Sequence, residues 1–464
     1  MAKVWLPLLL TAVLLLFSSA PRSAGGSPLH VAGRWSQPNT ATFFKDRLKN
    51  SLSLTPSISS SSSSPSSLAS GFTCDACKAF FEVVRELYDH GFMRDEIAKI
   101  SVDVCTTLKI EDHTVCSGVI SLFKDEVLTV FEKVGLGSDE ACNIVVGDSC
   151  SKGYDPWHQK WSVPIPGDKP PVTHHSPEPG SPVTGVLHIT DIHYDPLYTP
   201  GLTRDCGEPL CCRPPNAQGN SSTAAGYWGD YKCDVPYQTL LNLMEHLQKQ
   251  GSMYEWVYWT GDMPAHSVWT TTRQGLLDMM TNITDLMSTS FGGKPVFPTY
   301  GNHEGVPVNS FPPPYITGNM SAEWLYSGSA ERWAVWLDKF PEWPTINATI
   351  RKGGYYVVKV REHLKVISLQ TNFCNTDNYW LLINSTDPAG QLQWLVEQLL
   401  QAERDGDKVH IIGHIAPGLH SCNPVWSSNY HLIVNRFEST IVGQFFGHTH
   451  HDSVEIHYDD KNVS

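Results

Sequence analysis

The sequence is short of basic residues and of long apolar runs. Lys and Arg number 33 against 47 Asp and Glu, which gives a formal net charge of −14. Because no basic stripe is present to neutralise phosphates, this composition argues against a nucleic-acid partner. Hydrophobic residues make up 41% and aromatic residues 11% of the chain. These values are ordinary for a globular protein, and they exclude wholesale disorder and a protein with many membrane spans.

A single apolar run, from Val4 to Phe17, follows a charged start and precedes small residues. The run is short for a transmembrane span of about 20 residues, so it predicts a secretory signal peptide over residues 1–24, with a signal anchor as the alternative. Twelve cysteines then favour disulfides over thiolate metal sites, because the secretory route is oxidising. Asn-x-Ser/Thr triplets predict a secreted or lysosomal glycoprotein; they begin at Asn220, Asn282, Asn319, Asn347, Asn384 and Asn462.

Changes in composition divide the remaining chain into segments. Residues 25–70 are polar and Ser-rich, which predicts a flexible spacer. Residues 71–154 combine six cysteines with amphipathic patterns, Ala79 to Leu87 and Val119 to Phe131, which predict a small all-α disulfide-rich domain. Prolines in residues 161–183 predict an extended linker.

In residues 184–464, short apolar runs alternate with helical patterns such as Leu392 to Ala402, and this alternation predicts a layered α/β domain. The helix at Leu392 is expected to begin with Thr386-Asp387-Pro388 as its cap and first turn. The predicted strands lie in the runs Val186–Thr190, Trp256–Thr260, Pro295–Tyr300, Val366–Leu369, Val409–Ile412 and Ile441–Phe446.

Five of these runs are followed by residues of the types that bind metals. The carboxyl ends of strands line the ligand crevice of an open α/β sheet, so residues far apart in sequence are expected to meet there. A lone Asp-x-His after a strand is more often a solvated turn, but five motifs in this order favour a metal site. The motifs are Asp191-x-His193, Gly261-Asp262, Gly301-Asn302-His303-Glu304, Gly413-His414 and Gly447-His448-Thr449-His450.

This order of motifs resembles the calcineurin-like metallophosphoesterase superfamily. The resemblance implies two metal ions that share Asp262. Zinc is the expected ion, although manganese and iron suit the same ligand types. His303 is expected to protonate the leaving group and His266 to stabilise the phosphate, unless both only orient metal ligands. The resemblance assigns Asp191, His193, Asp262 and His450 to one ion, and Asp262, Asn302, His414 and His448 to the other.

The cysteine spacing of residues 74–150 resembles that of saposin B-type domains. After this segment come a Pro-rich linker, the metallophosphoesterase motifs and the string Trp380 to Gln391. This order of segments resembles the acid sphingomyelinase family from about Cys74 to His457. The resemblance implies a calcineurin-like β-sandwich flanked by helices after a saposin domain. It also implies disulfides Cys74–Cys150, Cys77–Cys142, Cys105–Cys116, Cys206–Cys211, Cys212–Cys233 and Cys374–Cys422.

The activity that this resemblance implies is hydrolysis of sphingomyelin to ceramide and phosphocholine at acidic pH, with the saposin domain in contact with anionic bilayers. The family continues beyond the last ligand, so the catalytic domain is expected to be incomplete at its C-terminus. Two alternatives stay open: a related phosphodiesterase that acts on nucleotide or other phosphodiesters, and a non-catalytic saposin-type lipid-binding protein. A monomer is the expected oligomeric state.

Overall fold

A computed structural model describes residues 74, 77–78, 81–82, 85, 88, 92–107, 109–146, 150, 157, 159–172 and 178–458. The chain forms two compact units, Met1–Pro156 and Trp157–Ser464. The predicted signal peptide, the Ser-rich spacer, much of the predicted helix Ala79 to Leu87 and the triplet at Asn462 lie outside the described residues.

The first unit is helical and disulfide-rich, as predicted. Its described helices are α1 (Arg94–Thr107), α2 (His113–Val134) and α3 (Ser138–Val146). The carboxylate of Asp112 caps α2 by accepting from Val115 N, and Gly135 ends the helix with a left-handed backbone. Among the described residues, no helix combines the length and apolar character needed to cross a membrane. The disulfides of this unit are Cys74–Cys150, Cys77–Cys142 and Cys105–Cys116.

The second unit contains the remaining helices and all the described strands. Its helices are α4 (Tyr237–Lys249), α5 (Arg273–Ser290), α6 (Glu323–Leu337), α7 (Trp343–Gly353), α8 (Gln391–Asp405) and α9 (Pro424–Arg436). Its strands are β1 (Val186–Ile189), β2 (Trp256–Trp259), β3 (Val296–Pro298), β4 (Tyr356–Arg361), β5 (Leu364–Ser368), β6 (Lys408–Ile412) and β7 (Ile441–Phe445). The disulfides here are Cys206–Cys211, Cys212–Cys233 and Cys374–Cys422.

The strands form two sheets that pack face to face. One has the order β1-β2-β3 and is parallel, and the other has the order β4-β5-β6-β7, with only β4 antiparallel to its neighbour. Tyr258 Oη bonds to His410 Nδ1 at 2.7 Å, and Thr299 Oγ1 donates to Leu369 O at 2.9 Å, which joins the sheets. The predicted β-sandwich flanked by helices is confirmed, and all six predicted strands are present.

Helices α8 and α9 cover the outer face of the second sheet. Leu395 and Leu399 of α8 and Trp426 of α9 belong to one buried cluster with Ile367 of β5 and Val409 of β6. This apolar contact removes the face of the sheet from water and so stabilises it.

Helix α8 begins later than the sequence pattern predicts. Residues Pro388–Gly390 form a separate 3-10 turn, and α8 starts at Gln391. The predicted capping residue still acts at this end, because the Asp387 carboxylate accepts from Leu392 N at 2.7 Å and Gln393 N at 3.1 Å.

Part of the Pro-rich segment packs against α9 within the second unit. Residues 159–172 contain neither helix nor strand, and Val163 is buried in the cluster beneath α9. Val163 N donates to Asn429 Oδ1 at 2.8 Å, and Asn429 Nδ2 donates to Trp161 O at 3.1 Å. This segment, which we call the strap (residues 159–172), is therefore anchored rather than free along its described length.

Candidate metal centre

The predicted metal ligands follow the carboxyl ends of five parallel strands. These strands are β1, β2 and β3 of one sheet and β6 and β7 of the other. Most of the ligands have a left-handed backbone, which is unfavourable for residues other than glycine and persists only where the surrounding structure imposes it. The ligands concerned are Asp191 (φ 51°), His193 (φ 43°), Asp262 (φ 56°), His448 (φ 73°) and His450 (φ 54°).

Two glycines allow the loops after β2 and β3 to approach each other. A Cβ on Gly261 would lie 2.0 Å from Gly301 N, and a Cβ on Gly301 would lie 2.1 Å from Asp262 Oδ1. Neither position can accept a side chain without moving the backbone. The glycine before each of these ligands is therefore required by close packing.

The first group of ligands surrounds one oxygen of Asp262. Asp262 Oδ2 lies 3.4 Å from His193 Nε2, and His193 Nε2 lies 2.9 Å from His450 Nε2. His450 Nε2 also lies 2.8 Å from Asp191 Oδ1. These donor atoms lie within 4.8 Å of one another, which is close enough to bind one cation together.

The second group uses the same oxygen of Asp262 from the other side. Asp262 Oδ2 lies 3.3 Å from His414 Nε2. Asn302 Oδ1 lies 3.1 Å from His414 Nε2 and 3.0 Å from His448 Nδ1. The structure therefore brings all seven predicted ligands together in two groups that meet at Asp262.

Backbone carbonyls orient two of the ligand histidines. His193 Nδ1 donates to Pro264 O at 2.9 Å, and His414 Nδ1 donates to Thr260 O at 2.7 Å. A carbonyl oxygen only accepts, so Nδ1 carries the hydrogen and the lone pair of the neutral ring is on Nε2, which faces Asp262. Metal-binding histidines are commonly held in this way.

The charges in the centre favour a cation beside Asp262. Burial raises the pKa of Asp262, but His414 and His303 outweigh that effect and hold the pKa well below its ordinary range. Burial lowers the pKa of His414, and Asp262 outweighs it and raises the pKa to about 9. A buried carboxylate thus attracts positive charge to this position, which a metal ion supplies as well as a proton does. Imidazole, carboxylate and amide donors together fit a divalent transition metal.

The two histidines predicted to act on the substrate lie beside the ligands. The ring of His266 stacks on that of His193 with centroids 4.0 Å apart, and the rings of His266 and His303 are 4.7 Å apart. Among the described residues, neither His303 Nδ1 nor His266 Nε2 has a hydrogen-bond partner, although both atoms are buried. Burial lowers the pKa of His303 well below its usual range, with Asp262 acting in the opposite direction. The roles of both residues stay predictions.

Asp234 holds His266 in place, and no sequence motif predicts this contact. Its carboxylate accepts from His266 Nδ1 at 2.8 Å and from His266 N at 2.6 Å. Two bonds to one carboxylate fix the ring plane and leave Nε2 on the opposite side. Asp234 follows Cys233 and belongs to none of the five motifs, so only the structure reveals the pair.

Two further residues support the loops that carry the ligands. The Glu304 carboxylate accepts from the backbone N–H groups of Asp262 (3.0 Å), Met263 (2.8 Å) and Gly301 (2.6 Å). Asn372 Nδ2 donates to Gly301 O at 3.1 Å. Glu304 stands inside a motif, but the motif does not reveal that its side chain binds backbone. No sequence motif includes Asn372 or predicts its contact with Gly301.

Comparison with known proteins places this geometry in a family. The model of the calcineurin-like phosphoesterase family matches residues 184–452. The chain is 45% identical over 403 residues to the sphingomyelin phosphodiesterase of Bos taurus, in an alignment that covers 84% of this chain and 62% of that protein. It is 33% identical over 402 residues to sphingomyelin phosphodiesterase 1 of Caenorhabditis elegans, covering 84% and 70%. A cyclic GMP-AMP phosphodiesterase of Rattus norvegicus is 33% identical over 300 residues, covering 62% of each chain.

The chain spans 62% of the length of the bovine relative and 61% of that of a human sphingomyelin phosphodiesterase. Within the shared region, the family match extends over the strands and loops that carry all seven ligands. The chain therefore belongs to the calcineurin-like phosphoesterase family, in the branch that includes the sphingomyelin phosphodiesterases.

Proposed function

We propose that this chain hydrolyses sphingomyelin to ceramide and phosphocholine with the aid of two zinc ions. The observation that carries the proposal is the position of Asp262, whose Oδ2 lies within 3.4 Å of a histidine nitrogen in each ligand group. A carboxylate shared by two cations is typical of sites that cleave phosphate esters. The names of the bovine and nematode relatives supply the substrate class.

When bound, two divalent ions neutralise charge on the phosphate and activate water for in-line displacement. The protein's own side chains contribute the proton and the positioning. His303 gives a proton to the ceramide oxygen as its bond to phosphorus breaks, and His266 contacts a phosphate oxygen. The phosphodiester anion favours the charged form of His303 and so opposes the effect of burial. Asp234 keeps the ring of His266 in one orientation.

Zinc is the proposed ion because four imidazoles dominate the donors: His193, His414, His448 and His450. Manganese and iron accept the same donors, so elemental analysis of the purified protein is the measurement that decides. Two equivalents of zinc per chain are expected.

We also propose that the chain is a glycoprotein of the secretory route, in lysosomes or outside the cell. The twelve cysteines are paired in six disulfides, which need an oxidising compartment. Four predicted glycosylation sites, Asn220, Asn282, Asn319 and Asn384, are exposed, and Asn347 is half-buried. A loss of apparent mass on treatment with an N-glycosidase is expected.

The first unit is proposed to contact anionic bilayers in the manner of saposins. The chain is proposed to act as a monomer.

The test of the proposed function is turnover of sphingomyelin vesicles at acidic pH, with and without a chelator. Turnover is expected to stop on chelation and to return when zinc is added. Asp262→Asn should abolish it by weakening both groups, whereas Asp285→Asn, an exposed substitution on α5, should leave it unchanged. Turnover of nucleotide diesters but not of sphingomyelin would support the alternative phosphodiesterase. Turnover of neither would contradict an enzymatic function.

A further inference from the structure

We propose that an exposed aromatic surface of the second unit docks on the interface of a zwitterionic phospholipid bilayer. This surface, the aromatic platform, consists of Tyr227, Trp228, Tyr231 and Tyr237. The proposal rests on the proposed function, because it provides the contact by which a lipid phosphodiester would be presented to the metal centre.

The platform exposes large aromatic side chains that globular proteins usually bury. Tyr227 is 61% exposed and Trp228 60% exposed, Tyr231 is fully exposed, and Tyr237 is half-exposed. Tyr and Trp carry a polar group on an apolar ring, and such side chains concentrate at the boundary between water and lipid. The rings of Tyr227 and Trp228 are 5.1 Å apart, and Tyr237 directly precedes the residues that bond to their carbonyls, so these side chains are neighbours rather than scattered apolar residues.

Hydrogen bonds hold the platform in a fixed shape. Tyr227 and Trp228 form the tip of a tight turn between Gly226 and Gly229, which are paired across it. The carbonyl of Trp228 accepts from Thr239 Oγ1 at 2.5 Å, and that of Tyr227 accepts from Gln238 Nε2. Tyr198 Oη donates to Gly226 O at 2.8 Å. Because the backbone of the tip is already bound, little conformational entropy is lost when the two rings meet a surface.

The platform lies at the same end of the second unit as the metal centre. Tyr237 begins α4, and its ring is 5.8 Å from that of Tyr194, the residue after ligand His193. Between Tyr231 and Tyr237 the chain supplies Asp234, which binds His266. A surface bound by the platform therefore lies close to the metal centre.

The charges around the platform indicate a zwitterionic rather than an anionic surface. The nearby cations are each matched by a carboxylate, Arg204 with Asp230 at 3.1 Å and Lys232 with Asp205 at 2.5 Å. Without a net positive charge, the platform gains nothing from anionic lipid, and its binding should depend on apolar and interfacial contact alone.

The first experiment measures binding of the full chain to vesicles of phosphatidylcholine alone. The double variant Tyr227→Ser, Trp228→Ser is expected to bind about tenfold more weakly than the unmodified chain. That loss should be the same at low and at high salt. Met253→Ser is the matched control: Met253 is 68% exposed and precedes the amino end of β2, at the opposite end of the sheet from the site. Equal binding by the double variant and the control would overturn the proposal.

A second measurement does not depend on losing an interaction. Tyr231→Cys and Met253→Cys, each labelled with an environment-sensitive fluorophore, are mixed with the same vesicles. The label at 231 is expected to shift its emission to the blue as it enters the lipid interface, and the label at 253 is not. No shift at 231 would overturn the proposal and favour another protein surface as the occupant.

Turnover of a soluble nitrophenyl phosphodiester separates this inference from the proposed function. Tyr227 and Trp228 belong to neither ligand group, so the double variant should retain wild-type turnover of this substrate. Wild-type turnover with unchanged vesicle binding would refute the platform alone. Absence of metal-dependent turnover in the unmodified chain would refute the proposed function, whatever the vesicles show.

Discussion

His303 is attached to the metal centre through its backbone, and its ring lies beside a ligand histidine. His303 N donates to Asp262 Oδ1 at 2.8 Å, and its ring lies 4.9 Å from that of His193. If the ring protonates the leaving group, His303→Ala should slow hydrolysis of an alkoxide-leaving substrate such as sphingomyelin by about a hundredfold. A nitrophenyl phosphodiester, whose leaving group departs without a proton, should lose much less. Parallel steady-state assays of the two substrates provide the measurement.

The control for this comparison is His246→Ala, an exposed histidine on α4 that should leave both rates unchanged. Equal losses on the two substrates in His303→Ala would show that His303 binds phosphate without giving up a proton.

Asp234 offers a test of positioning that is separate from metal binding. Asp234→Asn keeps the size of the side chain but weakens the bonds to His266 Nδ1 and N. We expect kcat to fall about tenfold with KM and bound metal little changed, because the ligands themselves are intact. Asp230→Asn, four residues earlier, changes a carboxylate that pairs with Arg204 rather than with His266, and it should leave kcat unchanged. A loss of bound metal in Asp234→Asn would instead assign it to the support of the ligands.

Protonation of the buried Asp377 carboxylate should increase the free energy of unfolding as the pH falls. Burial raises the pKa of Asp377 to about 6, with His420 acting in the opposite direction. The folded chain therefore binds a proton at a higher pH than the unfolded chain, so this residue destabilises the fold when it is ionised and ceases to do so in acid. Asp377→Asn is expected to raise the free energy of unfolding by about 1–2 kcal/mol at neutral pH, and by little near pH 4. Urea unfolding at the two pH values checks this, and a gain equal at both would contradict it.

The sequence predicts the ligands better than their supports, and the reason is physical. Each ligand motif follows a strand, and four of the five contain a glycine, so the motifs have a local pattern. Asp234 and Asn372 act through contacts formed only after distant segments meet, and nothing around them in the chain marks those contacts. The left-handed backbone of most ligands was likewise not predictable from the motifs, because aspartate and histidine, although enriched in that region, adopt it in only a small fraction of cases.

At the level of elements, strand β4 shows where periodicity fails. The six predicted strands are buried runs, whereas Tyr356–Arg361 lies at the edge of its sheet and becomes exposed toward its end. Its apolar start, Tyr356–Val358, gives way to Lys359 and Arg361, so it is not a continuous buried run, and its antiparallel pairing with β5 identifies it. The later start of α8 was not predicted either. Asp387 precedes the 3-10 turn, and its carboxylate reaches across that turn to cap the helix.

The strap gives a prediction about stability at this scale. Asn429→Ala removes the acceptor of the buried Val163 N and the donor to Trp161 O. A buried N–H without a partner costs about 2 kcal/mol, so the free energy of unfolding of the second unit should fall by about that amount. Asn435→Ala, which removes only the bond from Lys169 Nζ near the surface, should cost much less. Equal midpoints of urea unfolding for the two variants would show that the strap does not contribute to stability.

At the level of the whole molecule, the metal centre depends on both sheets. Three of its strands belong to one sheet and two to the other, so the ligand groups exist only when the sandwich has closed. The carboxylates of Asp191 and Asp262 are then brought together in a buried place, and histidines hold the pKa of each below its ordinary range. We therefore expect metal binding and folding of this unit to be coupled, because the unfolded chain has no such arrangement of donors.

This coupling leads to a prediction on metal removal. A ligand that binds only the folded state stabilises it by about 4 kcal/mol when present at a thousandfold excess over its dissociation constant. For a unit of this size, chelation should therefore lower the midpoint of thermal unfolding by several degrees, and zinc should restore it. Asp262→Asn serves as the reference: its midpoint should already be low and should respond to neither chelator nor zinc. If the unmodified chain unfolds at the same temperature with and without chelator, the donor groups do not hold a metal in the folded protein, and the close approach of Asp191, Asp262 and the histidines must instead be stabilised by protons on the imidazoles.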